Sequence, residues 1–215
     1  MRSNGTSGAK GTGVLAVGVI AGTLVLGVAA CGSSSSGQPA ASGASASSTH
    51  AMHHGETMSH AFGSDCGMIP ASGMGSLHGM SMDPVVTAAS HNPLLSMFAA
   101  DIKTAGLGAE LNSMHAVTIF APANTAFHKL SGHQMSMMHS NTELAKILKY
   151  HVVDGRITPS KLASGMTLTT LEGGTLKPAK MGAVYEVNKA QVICGNIQTS
   201  NATVYIINSV LTPMH

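Results

Sequence analysis

Sulfur and imidazole side chains crowd a few stretches of this 215-residue chain, which carries 15 Met and 12 His. Met52-His53-His54, Met58-Ser59-His60, His78-Gly79-Met80-Ser81-Met82 and His133-Gln134-Met135-Ser136-Met137-Met138-His139 set the two groups close together in sequence. Thioethers select Cu(I) and imidazole suits Cu(II). His53, His54, Met58, His60, His78, Met80, Met82, His133, Met135, Met137, Met138 and His139 are therefore a candidate copper-binding set, and extracytoplasmic copper binding or sequestration is one reading of the chain. The competing reading treats Met and His as polar-tolerant filler. Side chains that point apart in the fold favour filler; side chains that converge favour metal.

Other chemistry is thinly supported. His151, Asp154 and the many serines supply the atoms of a hydrolase triad, but no nucleophile elbow is present, so no catalysis and no required cofactor is expected. Basic residues lie singly from Lys103 to Lys189, without the stripe that releases phosphate counterions, which argues against nucleic acid as a partner. Without Arg2 and Lys10, nine basic residues face nine acidic ones, so the rest of the chain is neutral apart from its histidines. All twelve histidines follow the N-terminal apolar run, and a cationic response to mild acid is a third reading.

Arg2 and Lys10 precede an apolar run from Val14 to Ala30, the pattern of a secretion signal over residues 1–30. The run ends at Val28-Ala29-Ala30-Cys31, which resembles the bacterial lipobox. Small residues let the peptidase seat the chain, and the Cys31 thiol would carry a diacylglycerol thioether. The competing reading, a transmembrane anchor, asks for about 20 apolar residues and meets a shorter, Gly-rich stretch. The lipid would place the protein on the extracytoplasmic face of the cell membrane. In such an oxidising compartment, the two remaining thiols, Cys66 and Cys194, most simply form a disulfide. The alternative, a pair of soft metal ligands, lacks a close Cys partner at either position.

Around these groups the chain divides by composition. Residues 31–49 are a flexible Gly/Ser/Ala tether and residues 50–82 a Met/His-rich segment tied in part to the domain by the cysteines, with Phe62, Ile69 and Leu77 as its anchors. A folded domain is expected over 83–215. Asp83-Pro84 and Asn92-Pro93 signal two helix starts, and Leu94, Leu95, Phe98, Ile102 and Ala105 share a helical face. Val117 to Phe120 reads as a buried strand stopped by Pro122, and Thr142 to Tyr150 as a third helix. Strands are expected at Thr167–Leu171, Gly174–Pro178, Val184–Val187, Gln191–Ile193 and Thr203–Val210. Helices followed by strands give an α+β class.

Three segments in order, Thr118-Ile-Phe-Ala-Pro-Ala-Asn-Thr-Ala-Phe127, Tyr150-His-Val-Val153 and Val187 to Pro213, resemble the first conserved box, the Tyr-His box and the second conserved box of the fasciclin (FAS1) family. The resemblance is to the actinobacterial secreted and lipoprotein branch, which includes a mycobacterial immunogenic fasciclin lipoprotein. It implies short N-terminal helices packed on a twisted β-sandwich or wedge. It also implies the Cys66–Cys194 pairing, because that branch carries one cysteine ahead of the domain and one in a Val-Cys-Gly-Gly segment, here Val192-Ile193-Cys194-Gly195.

The family's role implies a non-catalytic, adhesive surface protein whose partner is a surface, matrix or host protein. Phe120, Asn124, Phe127, Tyr150, His151 and Asn201 carry the family motifs, mostly as structure. Asn124 is placed to cap a short helix, Phe127 to enter the core, and His151 to bond a backbone group. In eukaryotic fasciclin domains the Tyr-His region and the segment before the second box serve integrin adhesion. That role maps onto Tyr150, His151 and the stretch from Asn188 to Asn196. The following loop, Gly195-Asn-Ile-Gln-Thr-Ser-Asn201, departs from the family pattern, so integrin binding itself is not carried over. Asn201-Ala202-Thr203 matches a glycosylation pattern, but inside an expected strand edge.

Overall fold

The apolar runs at Val117 and Ala202 become neighbouring strands buried on both faces, which is why each reads as continuous hydrophobe rather than alternating pattern. The computed structural model describes residues 60–213. Strand β1 (Val117–Pro122) runs parallel to β8 (Ala202–Ile207), with Ile119 beside Val204 and Phe120 beside Tyr205. Side chains alternate between two cores. Val117, Ile119, Ala121, Val204 and Ile206 join the core under the helices, whereas Phe120, Tyr205 and Ile207 join a second core on the other face.

Six strands form one sheet in the order β2-β1-β8-β7-β6-β5. The others are β2 (Val152–Asp154), β5 (Pro178–Met181), β6 (Val184–Val187) and β7 (Ala190–Gln198). A two-stranded ribbon, β3 (Leu168–Thr169) with β4 (Thr175–Leu176), joins the edge of this sheet at β2, where Thr170 bridges Val153 and Leu171 N donates to Val152 O. The helical layer consists of α1 (Leu77–Met82), α2 (Val85–His91), α3 (Ser96–Thr104) and α4 (Gly108–Ser113), followed by α5 (Asn124–Phe127), α6 (Gly132–Met138) and α7 (Asn141–Tyr150). α8 (Pro159–Ala163) follows β2, with Pro159 at its first position. This is the expected α+β class.

The expected boundary at Asp83 cuts through folded structure. Phe62 exchanges backbone hydrogen bonds with Gly195, at 3.1 Å and 2.7 Å, and so extends the sheet beside β7. Cys66 and Cys194 are joined, their Cα atoms 4.9 Å apart. Gly195 is required there: a Cβ would come within 3 Å of the Phe62 and Tyr205 rings. The β7–β8 register shifts on both sides of Cys194, bending β7 at the crosslink. Of the expected anchors, Ile69 is buried and Phe62 packs against the second core, but Leu77 faces solvent. Met80, at 2% exposure, holds α1 down instead.

The helix starts differ in mechanism from the expectation. Asp83 does not cap α2; its backbone closes α1 by donating to Met80 O, and Pro84 occupies the cap position. Asn92 bonds Leu94 N through its side chain, and α3 begins only at Ser96. β5 was not foreseen, because its three outer residues are exposed and carry no alternation.

Candidate functional site

Helix α7 ends at Tyr150, and the next residue, His151, is the fully buried hinge between α7 and β2. Its Nδ1 lies 2.8 Å from Ile147 O, and its Nε2 accepts from Leu211 N at 2.9 Å. Accepting at Nε2 requires the proton on Nδ1, so the ring is neutral and fully committed. Burial lowers its pKa to about 4, although the bond to the Ile147 carbonyl favours the proton. A ring held this way cannot serve as a general base, and Asp154 is not among its partners. His151 thus ties the C-terminal segment at Leu211 to the helical layer.

Tyr150 points to the opposite purpose. Its hydroxyl donates to Thr175 O at 2.9 Å and accepts from Asn188 Nδ2 at 3.0 Å. Asn188 also receives Lys177 N on its Oδ1 at 2.8 Å, and donates its own N–H to Lys177 O at 3.1 Å. Asn188 and Lys189 both have positive φ, 48° and 69°, and form the two-residue turn between β6 and β7. That turn needs left-handed residues, and Asn tolerates the conformation better than most side chains. Burial raises the Tyr150 pKa; the Asn188 bond opposes this and the Glu172 charge adds to it. The phenol is therefore a neutral, fixed element.

Over this network lies an open groove of about 730 Å³, lined by Tyr150, Glu172, Gly174, Lys177, Asn188 and Pro213 among others. Lys177 is exposed at the rim and Glu172 is half-buried, bonding Gly174 N through Oε2. The groove thus offers one charge of each sign on a floor of locked polar groups. Sequence reasoning reached Tyr150 and Asn188 through the family resemblance but missed Glu172 and Lys177, whose only signal was the turn at Gly173-Gly174.

The remaining motif residues are structural. Phe120 and Phe127 are buried, as expected. Asn124 caps a helix, but not its own. It is the first residue of α5, while its Oδ1 accepts Met97 N at 3.0 Å and its Nδ2 donates to Pro93 O and Ser96 Oγ, closing the start of α3. The capping partner is remote in sequence because β1 delivers Asn124 beside the Pro93 turn. Asn201 does similar work for two helices. Its Oδ1 accepts Val85 N at the start of α2, and its Nδ2 donates to Leu111 O and Met114 O at the end of α4. That buried amide has no room for a glycan. Arg156, which the sequence did not flag, donates to Ala202 O, Thr199 O, Ser200 O and Gln198 Oε1, binding the β7–β8 turn.

Of the candidate copper ligands, His53, His54 and Met58 lie outside the described residues, as does Cys31. His60, His78 and Met82 are exposed. Met80 is a core residue whose sulfur receives Asn92 Nδ2 at 3.3 Å, so the α1 cluster does not converge. His133 and Met137 leave the face of α6 that Met135, Met138 and His139 share. Among the described residues, no three His, Cys, Asp or Glu side chains gather into a metal site.

Known proteins match this architecture. The fasciclin domain family matches residues 93–213, more than half of the chain. This chain belongs to the fasciclin family. It is 39% identical over 147 residues to immunogenic protein MPB70 of Mycobacterium bovis, covering 66% of this chain and 75% of that protein. It is 38% identical, over 66% of each chain, to cell surface glycolipoprotein MPB83 of the same species. A FAS1 domain pair from the insect cell adhesion molecule fasciclin I shares the fold, with a TM-score of 0.53 at 17% identity, over 62% of this chain and 52% of that one.

Proposed function

We propose that this protein is anchored by a lipid on Cys31 to the extracytoplasmic face of the cell membrane, and acts there by adhesion to a surface, matrix or host protein. Binding runs through the groove over Tyr150, without catalysis. The observation that carries this reading is the groove itself: a polar floor fixed by Tyr150 and Asn188, with Lys177 and Glu172 presented to a partner. Both members of the Tyr-His pair are engaged in structural bonds: His151 is buried with both nitrogens committed, and the Tyr150 hydroxyl is held by Thr175 and Asn188. The relatives' descriptions as a cell surface glycolipoprotein and an adhesion molecule support the same role. The lipobox-like end of the leader supports the anchor.

The test uses the Cys31→Ala chain, which cannot be lipidated, applied to intact cells and to surface-protein extract. Lys177→Glu reverses an exposed rim charge and should lower the bound fraction several-fold by slowing association. Equal binding by the wild-type groove and the Lys177→Glu groove would remove this site from the account.

A further inference from the structure

The sulfur ligands separate into two populations once α6 is in place. Met135, Met138 and His139 follow steps of three and four residues and share one face at the end of that helix. That face meets α3. Met135, Met138 and His139 line a cavity of about 290 Å³ together with Met97 and Asp101, which stand one turn apart on α3. Met97 and Met135 remain 39% and 41% exposed, so these thioethers are not core filler in the way Met80 is. Phe127, Leu130 and Leu144 supply an apolar wall.

Three features of this cavity suit a soft monovalent cation. Thioethers carry no proton to lose and bind soft ions in preference to zinc or magnesium. The His139 ring makes no hydrogen bond among the described residues, and is free to turn a nitrogen inward. Asp101 has no ion-pair partner among the described residues, so its carboxylate offers uncompensated negative charge at the edge of an apolar cavity.

We propose that this groove between α3 and α6 binds Cu(I), with Met97, Met135 and Met138 as thioether ligands, His139 as the imidazole ligand and Asp101 as the neutralising charge. Met97 was outside every sequence cluster, and α3 brings it in. The site shares no lining residue with the Tyr150 groove, so the two functions stand or fall separately.

The test is an anaerobic competition titration of the Cys31→Ala chain, purified without a His tag, against a chromophoric Cu(I) chelator. The residues before His60 can bind copper on their own, so the comparison is between variants. Met97→Leu/Met135→Leu/Met138→Leu should lose one Cu(I) equivalent relative to the parent. His133→Ala/Met137→Leu, on another face of the same helix, should retain it. Leu preserves side-chain size, so the cavity walls persist. Unchanged stoichiometry in the triple variant overturns the proposal. If that variant does not fold, Ag(I) added to the parent protein labelled at its Met methyl carbons decides: resonances of Met97, Met135 and Met138 that move together support the site, and resonances that stay fixed overturn it.

Discussion

Lowering the pH should destabilise this fold through one buried ring. His151 is held neutral by burial, with Nδ1 on the Ile147 carbonyl and Nε2 on the Leu211 amide. Its pKa falls from 6.5 to about 4, so between those values the unfolded chain takes up a proton that the native state refuses. Stability is therefore complete above about pH 6.5, drains as pH falls, and levels off below about 4, for a loss of about 3 kcal/mol. Asp101 acts with the opposite sign: burial raises its pKa, so the native state protonates before the unfolded chain and gains from acid. Urea unfolding followed by circular dichroism, in an Asp101→Asn background from about pH 7.5 down to about pH 4, isolates the histidine. His151→Gln should be less stable at neutral pH and should lose the acid-side slope. If the slope survives in His151→Gln, the ring is not the group responsible, and burial of a neutral His151 is not what makes the fold acid-sensitive.

Asn201→Ala should cost about 3 kcal/mol or more, because it strands Val85 N and the carbonyls of Leu111 and Met114 inside the protein. Asn201→Asp should be worse still at neutral pH, since it turns a carboxylate toward those carbonyls; equal unfolding midpoints for Asp and Asn would contradict the assignment of the amide. Cys66→Ala/Cys194→Ala removes a crosslink spanning 128 residues, which chain entropy values at about 5 kcal/mol. Proteolysis should then cut the 60–76 segment before the sheet; uniform resistance would mean that the Phe62–Gly195 pairing suffices to hold it.

Helix faces and buried strands were legible in the sequence because local periodicity writes them. Leu95, Phe98 and Ile102 all lie in the core, and β6 has the expected limits from Val184 to Val187. What was hidden depends on residues far apart in the chain. Asn124 and Asn201 look like local caps or a glycan acceptor, yet each closes helices that begin or end some thirty to a hundred positions away. Segment 60–82 reads as part of a Met/His-rich stretch tied only in part to the domain, because its composition is poor in branched hydrophobes. It folds because Cys66, Ile69 and Met80 anchor it from three points. The Met and His clusters were equally opaque: sequence proximity grouped Met80 with Met82, whereas α3 and α6 group Met97 with Met135 and Met138.

Both proposed sites depend on long-range packing, but only the groove over Tyr150 carries the claim that the protein works by surface contact. A photoreactive phenylalanine analogue placed at Lys177 in the full-length protein expressed by living cells interrogates it directly, with Lys103, exposed on α3, as the control position. Discrete crosslinked species are expected from position 177 and absent from position 103. Crosslinks of equal yield and pattern at both positions, or none at position 177, would contradict it.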